Sequence, residues 1–132
     1  GELPMKFSQQ RESVRMNLMN RTDHPTANMV YQDLVKTNPR ISLGTVYRNL
    51  SLLAELGEIQ KFTTDDGIVH FDGVTEFHPH FVCRSCGKVQ DLVLPNPIPN
   101  PEDIRAQVSG RLQKIDFVCY GFCWDCSDRG EN

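Results

Sequence analysis

No run in this chain of 132 residues approaches the ~20 consecutive apolar residues of a membrane span, so no membrane-crossing helix is expected. No basic segment leads into an apolar core and a cleavage site, so no secretory signal is expected either. Internal repeats and low-complexity tails are missing. So is an excess of positive charge: 14 Lys and Arg against 17 Asp and Glu leave −3, an unpromising total for a nucleic-acid binder. Cysteine is scarce, and its five copies are odd in number. Arranged as two Cys-x-x-Cys pairs without an export signal, they suit a reducing cytosol better than a disulfide framework, and a cytoplasmic location is expected. Gly1-Glu2-Leu3-Pro4 precede Met5 and stay outside the fold reading.

What charge there is lies unevenly. Residues 5–61 hold eight Lys and Arg against five Asp and Glu, whereas residues 62–132 hold six against eleven. The first part is therefore +3 and compatible with phosphate contacts, and the acidic remainder suits cation binding. The length allows one domain or two small ones.

The pairs Cys83-Arg84-Ser85-Cys86 and Cys123-Trp124-Asp125-Cys126 stand 36 residues apart. Two intervening residues let both sulfurs of a pair face one point, and two such knuckles supply the four thiolates that a tetrahedral Zn2+ takes. A closed site of this kind is a staple for the fold, not a reaction centre. A thioredoxin-like dithiol is the rival, but a single Cys-x-x-Cys at a helix start would be its mark. Cys119, the fifth, lies in the apolar run Ile115–Phe122 and is expected to pack within a strand.

Along the chain, Ser8 is expected to cap a helix to about Asn20, with Val14, Leu18 and Met19 inward. After Arg21–Pro25, Thr26 caps a second helix to about Lys36, with Ala27, Val30, Tyr31 and Leu34 at helical spacing. Ser42 opens a third, with Leu43, Val46, Leu50 and Leu53 on one face and Gly57 just past its end. Glu58–Thr63, a turn at Thr64–Gly67 and Ile68–Phe71 make a β-hairpin. Three short helices and a hairpin are the parts of a winged helix-turn-helix, whose third helix enters the major groove. Beyond a boundary near residues 72–76, strands are expected at Phe77–Val82 and Lys88–Leu94. Pro95–Pro101 is a stiff connector, a helix covers Glu102–Gly110, and a last strand runs from Gln113 to Phe122. The fold class is thus α+β: a winged-helix domain over residues 5–73 and a small α+β domain over 77–132 around the four cysteines.

On the third helix, Gly44, Arg48, Ser51 and Glu55 lie opposite the apolar stripe, with Thr45 and Tyr47 at its flanks. An exposed Arg can meet guanine bidentately or a phosphate, and Tyr47 can pack on a thymine methyl. Such residues are usually just a solvated face, and it is the winged-helix context that turns them into DNA contacts. His78 and His80 are two apart, so in an extended segment both imidazoles lie on one side. Pro79 between them removes a backbone donor and places this piece at an edge or at the start of a strand. Asp72 and Asp91 are carboxylate partners for a metal, each solvated in the blander reading. His24 sits in the loop between the first two helices, where packing against Pro25 is its ordinary alternative.

The segments His24-Pro25-Thr26-Ala27, Ser42-Leu43-Gly44-Thr45-Val46-Tyr47-Arg48-Asn49-Leu50 and His78–Gly87 closely resemble the ferric uptake regulator superfamily, over about Phe7 to Cys126. The resemblance implies a homodimer of winged helices joined to C-terminal dimerisation domains, regulating transcription in response to metal. It implies structural zinc at Cys83, Cys86, Cys123 and Cys126, and a regulatory metal at His24, Asp72, His78, His80 and Asp91. Iron and zinc regulators commonly carry Glu where this chain has Asp91, so the set resembles the peroxide-stress branch. Arg48, in contrast, stands where peroxide repressors often have Asn and iron or zinc regulators have Arg. No histidine follows His80, which implies no extra histidine-dependent site, and the additional leading helix of many relatives is not expected.

The reading is a cytoplasmic, homodimeric repressor of a palindromic double-stranded DNA operator, with Thr45, Tyr47, Arg48 and Ser51 as contacts. It has structural Zn2+, regulatory Fe2+ or Mn2+ (Zn2+ being also compatible), and no membrane role. The resemblance to the peroxide-stress branch implies that peroxide is sensed through metal-catalysed oxidation of site histidines. Control of iron or zinc uptake is the runner-up within the family. A metal- or thiol-dependent enzyme is the rival class, disfavoured because no convincing general base stands beside an open metal position.

Overall fold

A computed structural model describes residues 7–75, 78–95 and 100–127. The chain divides into two compact units, Gly1–Thr75 and Glu76–Asn132.

The first unit holds helices α1 (Phe7–Met19), α2 (Ala27–Thr37) and α3 (Leu43–Glu55), then strands β1 (Gln60–Thr63) and β2 (Val69–Asp72). Val14 and Leu18 from α1, Val30 from α2, and Val46, Leu50 and Leu53 from α3 close one core with Ile41, Ile59 and Phe71. Spacings of four and three residues along α3 make that stripe. Leu43, expected in it, is instead exposed, as is Met19 on α1. Each sits at a helix end, past the reach of the core. Thr26 caps α2 through its side chain and the Met29 N–H, and Ser42 caps α3 through the Thr45 N–H. Ser8, expected as the cap of α1, lies inside that helix, which already begins at Phe7.

Helix α3 stops where a left-handed residue is required. Gly57 has φ 77, its N–H donates to the Ala54 carbonyl, and the Glu58 N–H donates to the Leu53 carbonyl. This paired closure satisfies the orphan carbonyls of the last turn. It turns the chain into the antiparallel β1–β2 hairpin, which pairs Phe62 with His70 and Gln60 with Asp72. At the hairpin tip the Thr64 hydroxyl and the Ile68 N–H both donate to the Asp66 carboxylate.

The second unit is a three-stranded sheet in the order β4-β3-β5, with β3 at His80–Cys83, β4 at Val89–Asp91 and β5 at Val118–Gly121. β3 pairs antiparallel with β4 and parallel with β5. The parallel pairing needs a crossover, and α4 (Pro101–Gln107) lies within it, with the Asn100 side chain accepting the Glu102 N–H. All three strands are shorter than expected. Their ladders end with β3, and Gln113–Phe117 form no strand. Helix α4 likewise ends at Gln107 rather than Gly110. Pro79 falls just ahead of β3, which is the central strand and not an edge. Cys119 is half-buried in β5, opposite Phe81. A short α5 (Trp124–Ser127) was not foreseen. Phe77 and most of the proline-rich connector lie outside the described residues. Among the described residues no helix is long and apolar enough to cross a membrane.

Replacing Gly57 by Ala forces a Cβ into left-handed backbone, at a cost of about 1–2 kcal/mol. Urea unfolding of the helices, followed by circular dichroism, should show that loss. An unchanged midpoint would mean that the closure of α3 does not need glycine.

Candidate metal centres

Cys83 ends β3, and the chain turns at once. The Gly87 N–H donates back to the Cys83 carbonyl, and Gly87 takes φ 79. Parallel pairing sets Cys83 against Gly121, two residues before Cys123, so the second knuckle arrives beside the first. The four sulfurs lie within 4.8 Å of one another. A tetrahedron of ~2.3 Å Zn–S bonds has edges of about 3.8 Å, and the Cys86 and Cys123 sulfurs stand 3.9 Å apart. Cys83 Sγ accepts backbone N–H groups from Cys123 at 3.3 Å and Cys86 at 3.5 Å. Those two donors, Cys123 first, lower its thiol to about 6. Cys126 goes the other way. A hydrogen bond from Ser85 favours its thiolate, but the neighbouring sulfurs, Cys123 foremost, and burial outweigh it and raise the group to about 11. Four sulfurs this close cannot all ionise unless a cation joins them, and a soft dication displaces the remaining protons. The donor set fits zinc.

Of the histidines and aspartates, His24 and Asp72 belong to the first unit and His78, His80 and Asp91 to the second. In the second, antiparallel register sets His80 directly across from Asp91. Asp91 Oδ1 lies 2.9 Å from His78 Nε2 and 3.4 Å from His80 Nε2, and the two rings stand 4.5 Å apart at their centroids. His80 is buried, its backbone held by the Phe117 carbonyl. In the first unit, His24 Nε2 lies 3.3 Å from Asp72 Oδ2, with both side chains buried. Asp72 Oδ1 accepts the Val74 N–H, which aims the carboxylate. Imidazole nitrogens and carboxylate oxygens converging in this way fit a borderline divalent ion such as Fe2+, Mn2+ or Zn2+.

His24 carries a feature that its sequence context did not signal. Its φ is 53, and it is the only described residue other than glycine with positive φ. The proline after it would ordinarily hold it extended, and left-handed backbone costs a bulky residue roughly 1–3 kcal/mol. Such strain persists only where surrounding contacts over-determine it. Here the Phe71 N–H donates to the Pro25 carbonyl, and His70 Nδ1 meets the His24 carbonyl at 2.8 Å. His70 was missed in the sequence, since nothing in its spacing marks it.

On α3, Tyr47 and Arg48 are exposed, and Thr45 and Ser51 are half-buried. Thr45 belongs to the cap, 3.0 Å from the Ser42 hydroxyl, and accepts from Arg48 Nη2 at 3.3 Å. Arg48 thereby folds back over the first turn. A Cβ at Gly44 would lie 3.2 Å from its Nη1. Tyr47 meets Phe71 edge-on at 6.5 Å. Asn49, also unforeseen, is buried and donates to the Thr45 carbonyl.

A sequence profile of the ferric uptake regulator family matches residues 2–119. The peroxide operon regulator of Bacillus subtilis (strain 168) is 33% identical over 129 residues, 97% of this chain and 88% of its own. Among solved structures, the Campylobacter jejuni peroxide stress regulator superposes with a TM-score of 0.74 at 28% identity, over 91% of this chain and 90% of its own. The Helicobacter pylori ferric uptake regulator Fur gives 0.76 at 23% identity, over 92% and 82%, a likeness of fold. With the helices, the hairpin, the cysteine cluster and the histidine–aspartate groups in place, the chain belongs to the ferric uptake regulator family of metal-dependent regulators.

Proposed function

We propose that this protein is a cytoplasmic, homodimeric repressor that binds a palindromic operator and releases it when peroxide oxidises its metal-site histidines. The observation that carries the reading is Asp91 beside His78 and His80, an aspartate where uptake regulators commonly have glutamate. Similarity to a peroxide operon regulator and a peroxide stress regulator supports it.

In this reading Cys83, Cys86, Cys123 and Cys126 hold Zn2+ and staple the dimerisation domain. His24 and Asp72 from the first unit and His78, His80 and Asp91 from the second share one Fe2+ or Mn2+. Sharing one ion commits the two units to a single placement, and it shifts the population of DNA-competent dimers by no more than the ion's differential affinity. Thr45, Tyr47, Arg48 and Ser51 face the operator, and two recognition helices about one turn, ~34 Å, apart suit a palindrome. Fe2+, when bound, would supply the electron that cleaves peroxide, chemistry that Mn2+ lacks. Net transfer of one peroxide oxygen to the ring of His24 or His78, with the other leaving as water, would remove a ligand and let the DNA go. Arg48 favours a second reading, control of iron or zinc uptake, in which metal level alone sets occupancy. The enzyme class loses the thiols of both Cys-x-x-Cys pairs once those four sulfurs close on one ion, which leaves Cys119, half-buried in β5.

Three outcomes follow. Cys123→Ser should lose zinc and the dimer together. Zinc sites of this kind contribute ~10–16 kcal/mol in zinc-finger peptides, so a folded, dimeric, zinc-free variant of unchanged melting temperature would refute the staple. Arg48→Ala should lose ~1–3 kcal/mol of discrimination between operator and random DNA at matched salt; unchanged ratios would remove Arg48 from the interface. Tryptic mass spectrometry after peroxide should find added oxygen on His24 or His78 in the iron form and none in the manganese form. An iron form that stays unmodified and keeps its DNA would transfer the protein to the uptake reading.

A further inference from the structure

His70 is neither a metal ligand nor a DNA contact in the roles assigned above, yet its surroundings are specific. Its Nδ1 lies 2.8 Å from the His24 carbonyl oxygen. A carbonyl only accepts, so Nδ1 carries the proton and donates it. The His70 ring stacks on Phe62, its cross-strand partner, with centroids 5.4 Å apart and planes 17° from parallel. The same Phe62 meets the His24 ring edge-on at 6.2 Å. One aromatic side chain therefore steadies both imidazoles. The next carbonyl, that of Pro25, is held by the Phe71 N–H at 2.9 Å, so consecutive residues of β2 grip consecutive residues of the loop. The residue so gripped is His24, with φ 53, whose Nε2 faces the Asp72 carboxylate.

We propose that His70 is a positioning residue for the metal ligand His24. Its Nδ1–H fixes the direction of the His24 carbonyl and holds residue 24 in left-handed backbone, and that backbone aims the imidazole at Asp72. Without the donor, the His24–Pro25 peptide is free to turn toward the extended form favoured before proline, and the ring swings off its line. The inference rests on the reading of His24 as a ligand of the regulatory metal. It adds a residue that touches no metal and acts through backbone, whereas the partners of metal-bound histidines usually act on the other ring nitrogen.

The test is Mn2+ affinity of the full, zinc-loaded chain, read from the electron paramagnetic resonance signal of free Mn2+, beside the thermal midpoint without Mn2+. His70→Phe keeps a ring on Phe62 but has no N–H. It should weaken Mn2+ binding by about 10–100-fold, the usual effect of removing a ligand's support, with little change in the midpoint. His70→Asn places an amide N–H near the lost Nδ1 and should restore most of the affinity, a rescue that a merely structural role would not give. If His70→Phe does not fold, His70→Leu against His70→Asn makes the same comparison at equal size. Parental affinity in His70→Phe, or equal losses with and without the donor, overturns the proposal. His24→Ala separates the two layers. If it weakens Mn2+ binding while His70→Phe does not, only the positioning role fails. If it leaves Mn2+ binding unchanged, His24 is not a ligand and the positioning role falls with it.

Discussion

The convergence of Cys83, Cys86, Cys123 and Cys126 on one point is the constraint from which the second unit's geometry follows. A unit this small has little core of its own, and among its described residues only Pro79, Val82, Val89 and two of the cysteines are buried apolar side chains. Closing the sulfurs ties the end of β3 to the end of β5 and so enforces a parallel pairing, Cys83 against Gly121. The tight turn at Gly87 then sends β4 back along β3 in one register, Val82 against Val89 and His80 against Asp91. A slip of one residue would turn Asp91 to the opposite face of the sheet, away from both histidines. The register that sets His80 against Asp91 thus belongs to the same three-stranded pairing that brings the cysteines together.

The first unit solves the same problem without a staple. Its core is continuous, from Val14 to Phe71, and beside it one residue, His24, takes left-handed backbone. β2 is the strand that links the two purposes. Phe71 is buried against α3 and meets Tyr47, its N–H holds Pro25, and its neighbours His70 and Asp72 face His24. Core packing, the proposed recognition helix and the proposed metal ligand His24 therefore meet at three consecutive residues of one short strand.

Much of this was legible in the chain. The α3 stripe of Val46, Leu50 and Leu53, the caps at Thr26 and Ser42 and the glycine at 57 are local signals, and local physics decides them. The knuckles were legible because metal-binding cysteines have a short fixed spacing. Strand lengths were not, because a strand ends where its partner ends, and the partner of Val118–Gly121 is set by the remote pairing with β3. The left-handed His24 was hidden for a related reason. Before a proline the local preference is extended, and the hydrogen bonds that meet this loop come from β2, more than forty residues away. Leu43 and Met19 show the limit of helical periodicity, which says which side a residue faces but not whether the core extends that far.

The central claim is that ligands from two separate units hold one regulatory ion. Equilibrium dialysis of the zinc-loaded protein against Mn2+, for the parent, His24→Ala and His80→Ala, tests it directly. The account predicts one Mn2+ per chain in the parent and a weakened affinity for that same ion in either variant. Two Mn2+ per chain, with each variant losing one and keeping the other at parental affinity, would contradict it.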